Sequence, residues 1–268
     1  MGWRSGRWPT SVRTGAILLV AACALAACQN KSASLDADPL ATASTSPSGG
    51  VSFKKTEAMA KQWNANPGDL KLGLAYAASL GQLGQRPTQV GVLSTVAERN
   101  PADAEAQAVV GKEFLKIGEA NAAAAVLERA SQLNPSDWQI FSVWGTALDQ
   151  QARHSEAREK YQQALNLKPG ELSVMNNMAM SFALQGKLPE AEKLLREALA
   201  APDAKSLPRI RQNLALVVGL QGRFEESQKI ASEDLPPNEV EANLAYLKQM
   251  LSRPNTWQQL QGDTEQQG

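Results

Sequence analysis

Cysteine is almost absent: Cys23 and Cys28 are the only two in 268 residues. Whatever folds beyond Cys28 therefore holds together by packing, without disulfides. Histidine is scarcer still, with His154 alone. One histidine with neither cysteines nor a matching carboxylate cluster does not build an ordinary zinc site, so no metal is expected. Aromatic side chains make up 5% of the chain, too few for a large stacking platform. Neither sign of charge dominates, with 27 basic and 27 acidic residues, which removes the basic footprint expected of a nucleic-acid or anionic-bilayer partner. No Gly-rich phosphate loop, Ser-His-Asp arrangement or paired-carboxylate motif stands out. The chain is expected to be non-enzymatic, with no cofactor, nucleic acid or small-molecule substrate.

Long apolar runs are also missing, save one. Ala16 to Ala27 follows Arg4, Arg7 and Arg13 and is far too short to span a bilayer stably, the pattern of a signal peptide over residues 1–27. The run ends in Leu25-Ala26-Ala27-Cys28, which resembles the bacterial lipobox. That resemblance implies a diacylglycerol thioether on Cys28 and a mature chain that begins there. The earlier match Val20-Ala21-Ala22-Cys23 leaves a hydrophobic region of about seven residues, at the bottom of the usual range, so Cys28 is the expected acceptor. A general secretory signal or an uncleaved anchor is the alternative reading. A lipobox implies the periplasmic face of a bacterial membrane, and Gln29 after the acceptor favours the outer one by resemblance to enteric sorting rules. Residues 28–52, rich in Ser, Ala, Thr, Pro and Gly, are expected to be a flexible tether.

Beyond the tether, prolines count out a period. Pro67, Pro101, Pro135 and Pro169 recur every 34 residues, each followed by an alanine-rich, helix-patterned stretch. Aligned on them, the units run 70–103, 104–137, 138–171, 172–207 and 208–235, each reading as helix, tight turn, helix. Small residues recur at Ala77, Gly111, Gly145, Ala179 and Ala215 in the first helices, and at Ala123, Ala157, Ala191 and Ser227 in the second. A third small set is Ala130, Ala164 and Ala198. Large apolar residues fill the seam between them at Leu80, Phe114, Leu148, Phe182 and Val218. Gly84, Gly118, Gly186 and Gly222 mark the turns, with Ala152 in the third unit.

This period and small-large-small spacing resemble the tetratricopeptide repeat from about residue 70 to 231. The resemblance implies an all-α, right-handed solenoid of about five helix-turn-helix units, spanning residues 53–253 with capping helices at 53–65 and 239–252. The first unit, with Pro87 early in its second helix and Gln89 where a small residue belongs, is expected to be looser. Residues 254–268, with Trp257 and Leu260, are expected to form a partly disordered tail.

Two stretches are more specific. Arg211-Gln212-Asn213-Leu214-Ala215-Leu216-Val217-Val218-Gly219-Leu220-Gln221-Gly222-Arg223-Phe224 and Ala242-Asn243-Leu244-Ala245-Tyr246-Leu247-Lys248-Gln249-Met250-Leu251 resemble the TadD family of tetratricopeptide lipoproteins of the tight-adherence (Flp pilus) system. That resemblance implies a pilotin-like role in assembling or localising the outer-membrane secretin. A periplasmic chaperone for pilin subunits, or a regulator of a cell-wall enzyme, is the alternative.

In such a solenoid the first helices line an inner groove. By unit position, the partner-binding residues there are Val109, Lys112, Val143, Thr146, Asn176, Asn177, Met180, Asn213, Leu216 and Tyr246. Their asparagine amides are suited to hold a peptide backbone, or else satisfy neighbouring helices. Val109 and Val143 stand where carboxylate-clamping repeats carry cations, so an apolar or amphipathic segment is the expected ligand, ahead of an acidic one. His154 is expected to pack against its turn, and Trp63, Trp138 and Trp144 at unit boundaries.

Overall fold

The computed structural model describes residues 53–252, apart from 203, 205 and 206. Signal peptide, Cys28, tether and the tail with Trp257 and Leu260 lie outside the described residues. Among the described residues there are twelve helices and no strand: α1 (Phe53–Ala65), α2 (Leu70–Gln82), α3 (Arg86–Arg99), α4 (Ala104–Lys116), α5 (Ala120–Leu133), α6 (Trp138–Gln150), α7 (His154–Leu167), α8 (Leu172–Leu184), α9 (Leu188–Leu199), α10 (Pro208–Leu220), α11 (Phe224–Ala231) and α12 (Pro237–Leu251).

The proline stretches work as paired stop and start signals. Proline has no amide hydrogen and clashes with the preceding turn, so the second helix ends before it. Two residues later an acidic side chain caps the next helix: Asp69 accepts from the amide of Leu72 at 2.8 Å, Asp103 from Ala106 at 3.0 Å and Asp137 from Gln139 at 2.9 Å. Asn100, just before its proline, donates to the carbonyls of Val96 and of Gly68, tying one inter-unit turn to the preceding one.

Inside each unit the first helix ends in a left-handed cap. Gly84, Gly118, Gly186 and Gly222 have φ of 71°, 74°, 76° and 80°. The residue after each turn donates its amide back to the carbonyl of Leu80, Phe114, Leu148, Phe182 or Val218, at 2.8 to 3.2 Å. In the third unit Ala152 adopts the same conformation at φ 58°, which a Cβ makes strained.

Close helix crossing follows from the small residues. A Cβ on Gly111 would lie 2.6 Å from Cγ of Leu127, and one on Gly145 would lie 2.5 Å from Cε1 of Tyr161. Both distances are far inside van der Waals contact, so the second-helix side chain occupies the space the first helix leaves empty. The first unit reverses the arrangement. Gln89 is buried rather than small, and it is the facing Gly81 that makes room, where a Cβ would meet Nε2 of Gln89 at 2.7 Å. A compensating glycine thus seats the polar side chain against α2.

The core runs as a linked seam. Trp144 packs against both the cluster around Phe114 and Leu127 and the one around Tyr161 and Val174; Leu165 joins the latter to the cluster around Leu195 and Leu214. In the fifth unit α11 stops at Ala231. Asp234 stands where Ala130, Ala164 and Ala198 stand in earlier units, and its carboxylate takes a bidentate bond from Arg211, 2.7 Å to each oxygen. Further out, α9 and α11 are bridged by a four-residue ion network of Glu192, Arg196, Arg223 and Glu226. Burial pushes the Glu192 carboxyl up, but hydrogen bonds from Arg223, Gln221 and Arg196 outweigh it and hold its pKa at about 2, against an ordinary 4.5.

Ala152→Gly relieves the left-handed strain of roughly 1–2 kcal/mol, less the entropy glycine adds to the unfolded chain, and should raise Tm by about 1–4 °C in a thermal melt. Glu192 has a lowered folded-state pKa, so its contribution is complete above pH 4.5 and is lost as pH falls towards 2. Glu192→Gln should therefore flatten the acid side of the stability profile measured by circular dichroism between those limits, and an unchanged acid slope would contradict the network.

Candidate functional site

Successive first helices touch one another, α4 with α6, α6 with α8, α8 with α10 and α10 with α12. This closer spacing makes their free face the inner surface of the solenoid. Positions one unit apart line up across that face as rows.

One row carries Val109, Val143, Asn177, Asn213 and, on α12, Asn243. The next carries Lys112, Thr146, Met180, Leu216 and Tyr246, and a third ends in Leu184, Leu220 and Met250. The second row thus changes along the solenoid from charged and polar (Lys112, Thr146) to apolar (Met180, Leu216, Tyr246), while the first runs the other way, from valine to asparagine. Leu184 is 50% exposed and Tyr246 62%, unusually high for large apolar side chains. Among the described residues Lys112 makes no ion pair, and the amides of Asn177 and Asn243 make no hydrogen bond.

Three of the residues expected in the groove are already engaged. Asn176 is 5% exposed, in the row of Ala108 and Ser142, which is buried between neighbouring first helices. Its Oδ1 accepts from Nδ2 of Asn213 at 2.7 Å. Asn176 is therefore corrected from groove lining to a cross-unit tie, because it lies one residue, about 100° of helix, away from Asn177. Asn213 keeps its amide oxygen and one N–H for a ligand. The Thr146 hydroxyl donates to the carbonyl of Ser142 at 3.2 Å and lies 3.3 Å from the Tyr161 hydroxyl oxygen.

His154 does more than pack. Its Nδ1 lies 2.9 Å from Oδ1 of Asp149, an oxygen that also accepts from the Ser181 hydroxyl at 2.7 Å. Oδ2 of Asp149 accepts from Tyr161 at 2.9 Å. Burial, and then the Asp149 charge, pushes the Tyr161 hydroxyl well above its ordinary pKa, so it stays a donor. Serine, histidine and aspartate thus meet, but around the carboxylate: Ser181 is fully buried and donates to Asp149, not to the imidazole. That geometry locks α6, α7 and α8 together and offers no activated nucleophile. The sequence signal for this node is Tyr161, where the first, second and fourth units carry Leu93, Leu127 and Leu195; a buried phenol needs a partner.

On the opposite side, second helices stand apart, and an open cavity of about 470 Å³ lies between α5 and α7. Its floor holds Trp144 and Leu148 and its walls include Ala124, Ala125, Glu128, Glu159 and Lys160. The expectation that Trp144 is packed away at a unit boundary holds only in part; its ring lies partly open under the Lys160 ammonium, 4.0 Å from the ring centre.

The family model for the tetratricopeptide repeat matches residues 109–171 and again 142–206. No curated protein matches the chain. Among solved structures, a thermophilic tetratricopeptide-repeat protein of Thermus thermophilus is 22% identical, with a TM-score of 0.52 over 68% of this chain and 100% of that one. MamA is 24% identical, with a TM-score of 0.46 over 57% of this chain and 89% of MamA. YrrB, described as having an unusual peptide-binding site, is 17% identical, with a TM-score of 0.48 over 72% of this chain and 99% of YrrB. Residues 109–206 thus match the tetratricopeptide-repeat family model, and the described residues have the fold of a tetratricopeptide-repeat solenoid.

Proposed function

We propose that this protein is a non-enzymatic, protein-binding lipoprotein whose inner groove receives an apolar or amphipathic segment of a partner protein. The observation that carries the reading is the apolar half of the inner surface, where Met180, Leu184, Leu216 and Tyr246 remain accessible beside the unengaged amide of Asn177. An apolar strip on rigid helices binds a complementary segment without ordering itself first. Tetratricopeptide-repeat proteins act in general by binding proteins or peptides, which agrees with this reading.

The partner we infer is the outer-membrane secretin of the Flp (Tad) pilus, with the protein acting as a pilotin-like assembly or localisation factor. This rests on the TadD-like stretches 211–224 and 242–251. They coincide with α10 and most of α12, the helices that supply Asn213, Leu216 and Tyr246. In the same reading the lipid on Cys28 holds the solenoid at the periplasmic face of the outer membrane.

Two experiments test this. Met180→Glu with Leu216→Glu places charge where apolar contact is expected, and each buried side chain of that size contributes about 1.5–3 kcal/mol. Capture of the secretin in a pull-down should weaken roughly tenfold or more, with the helical circular dichroism signal unchanged. Undiminished capture would remove the groove from the account, and recovery of pilin in place of secretin would reassign the partner. Cys28→Ser should move the protein from the membrane to the soluble periplasmic fraction; a variant still bound to the membrane would point to Cys23 or an uncleaved anchor.

A further inference from the structure

The cavity between α5 and α7 is separate from the inner groove and has its own chemistry. Two other pairs of neighbouring second helices are laced together from side to side. Arg86 at the start of α3 pairs with Glu119 at the start of α5, and α9 is bridged to α11 through Glu192 with Arg223 and Arg196 with Glu226. Among the described residues no such ion pair crosses from α5 to α7. The wall of α5 carries Ala124 and Ala125, whose methyl groups do not reach across, and so the cleft stays open.

Its charges are unbalanced in availability. Three carboxylates line it, Glu128, Glu156 and Glu159, against two cations, Arg153 and Lys160. Both cations are engaged: Arg153 binds Glu156 through Nε and Nη2, and Lys160 sits on Trp144. Glu128 and Glu159, on opposite walls, make no ion pair or side-chain hydrogen bond among the described residues. Neither does the amide of Asn121 beside them. The Trp144 face between these carboxylates already draws the Lys160 ammonium, which shows the kind of group the floor favours.

We propose that this outer cleft is a second docking surface, which takes an arginine-bearing segment of a partner protein, with a guanidinium over Trp144 between Glu128 and Glu159. Arginine fits better than lysine, because a planar guanidinium stacks on the indole and still presents donors at its edge to carboxylates on either wall. Ala124 and Ala125 leave room for the aliphatic stem to lie against α5. Lys160 then acts as a lid that the incoming guanidinium displaces. The surface faces away from the groove, so both can be filled at once.

The test uses the full isotope-labelled chain and an alanine-based peptide carrying two arginines, with the same peptide carrying citrulline as the neutral control. The Trp144 indole N–H resonance should shift saturably with the arginine peptide, weaken with added salt, and stay in place with citrulline. Glu128→Gln with Glu159→Gln should weaken that binding roughly two- to thirtyfold. Lys160→Ala, which bares the indole, should tighten it. Absence of a shift at Trp144, an equal shift with citrulline, or an affinity indifferent to the glutamine pair would overturn the assignment.

Discussion

A missing side chain at Gly145 lets the ring of Tyr161 come as close to α6 as a helix backbone permits, and the rest of the domain depends on crossings of this kind. The same interlock recurs with Gly111 under Leu127. At the other crossings the first helix contributes Ala77, Ala179 or Ala215, all buried. Each pair is thereby joined along its seam, where dispersion contacts and apolar burial are gained together. Because neither partner has slack, the crossing fixes the orientation of each pair, and repetition turns a local fit into a solenoid. Where the pattern lapses, as at Gln89, the facing residue becomes glycine, so the constraint is kept by the pair and not by one position.

Both candidate surfaces follow from that geometry. First helices approach one another and their outward rows merge into one continuous inner face. Second helices diverge, and their gaps are closed by ion pairs or left open. The Glu192 network closes the gap at α9 and α11, while the alanine face of α5 leaves the one at α7. Rigidity is common to both sites, since the lining residues sit on helices locked by the core and, around α6 to α8, by the Asp149 node.

Helix boundaries were legible because they rest on local chemistry. Proline ends a helix whatever surrounds it, the acidic residue two places on caps the next, and glycine accepts the left-handed turn. The small-large spacing was legible for a similar reason, as it recurs at fixed separation. Less was readable of the site. Asn176 and Asn177 look equivalent in a list of groove positions, yet one lies between helices and the other on the open face. His154 reads as a packing residue, and the ring that it turns towards Asp149 meets there a tyrosine and a serine from two different helices. Such contacts join residues up to a unit apart, and no single helical period records them.

The chain by itself determined how many helices form, where each stops and which stripe of each is apolar, since those depend on neighbours within a few residues. It also carries the resemblances to a lipobox and to pilus-assembly lipoproteins, which are matters of sequence alone. Only the tertiary structure decided which polar side chains are spent inside and which remain for a partner: Asn213 on Asn176, Asp149 on three donors, Lys160 on Trp144. The reason is that a hydrogen bond or a charge is satisfied by whatever the crossing helices bring within about 3 Å, and crossing is a property of the pair and its neighbours.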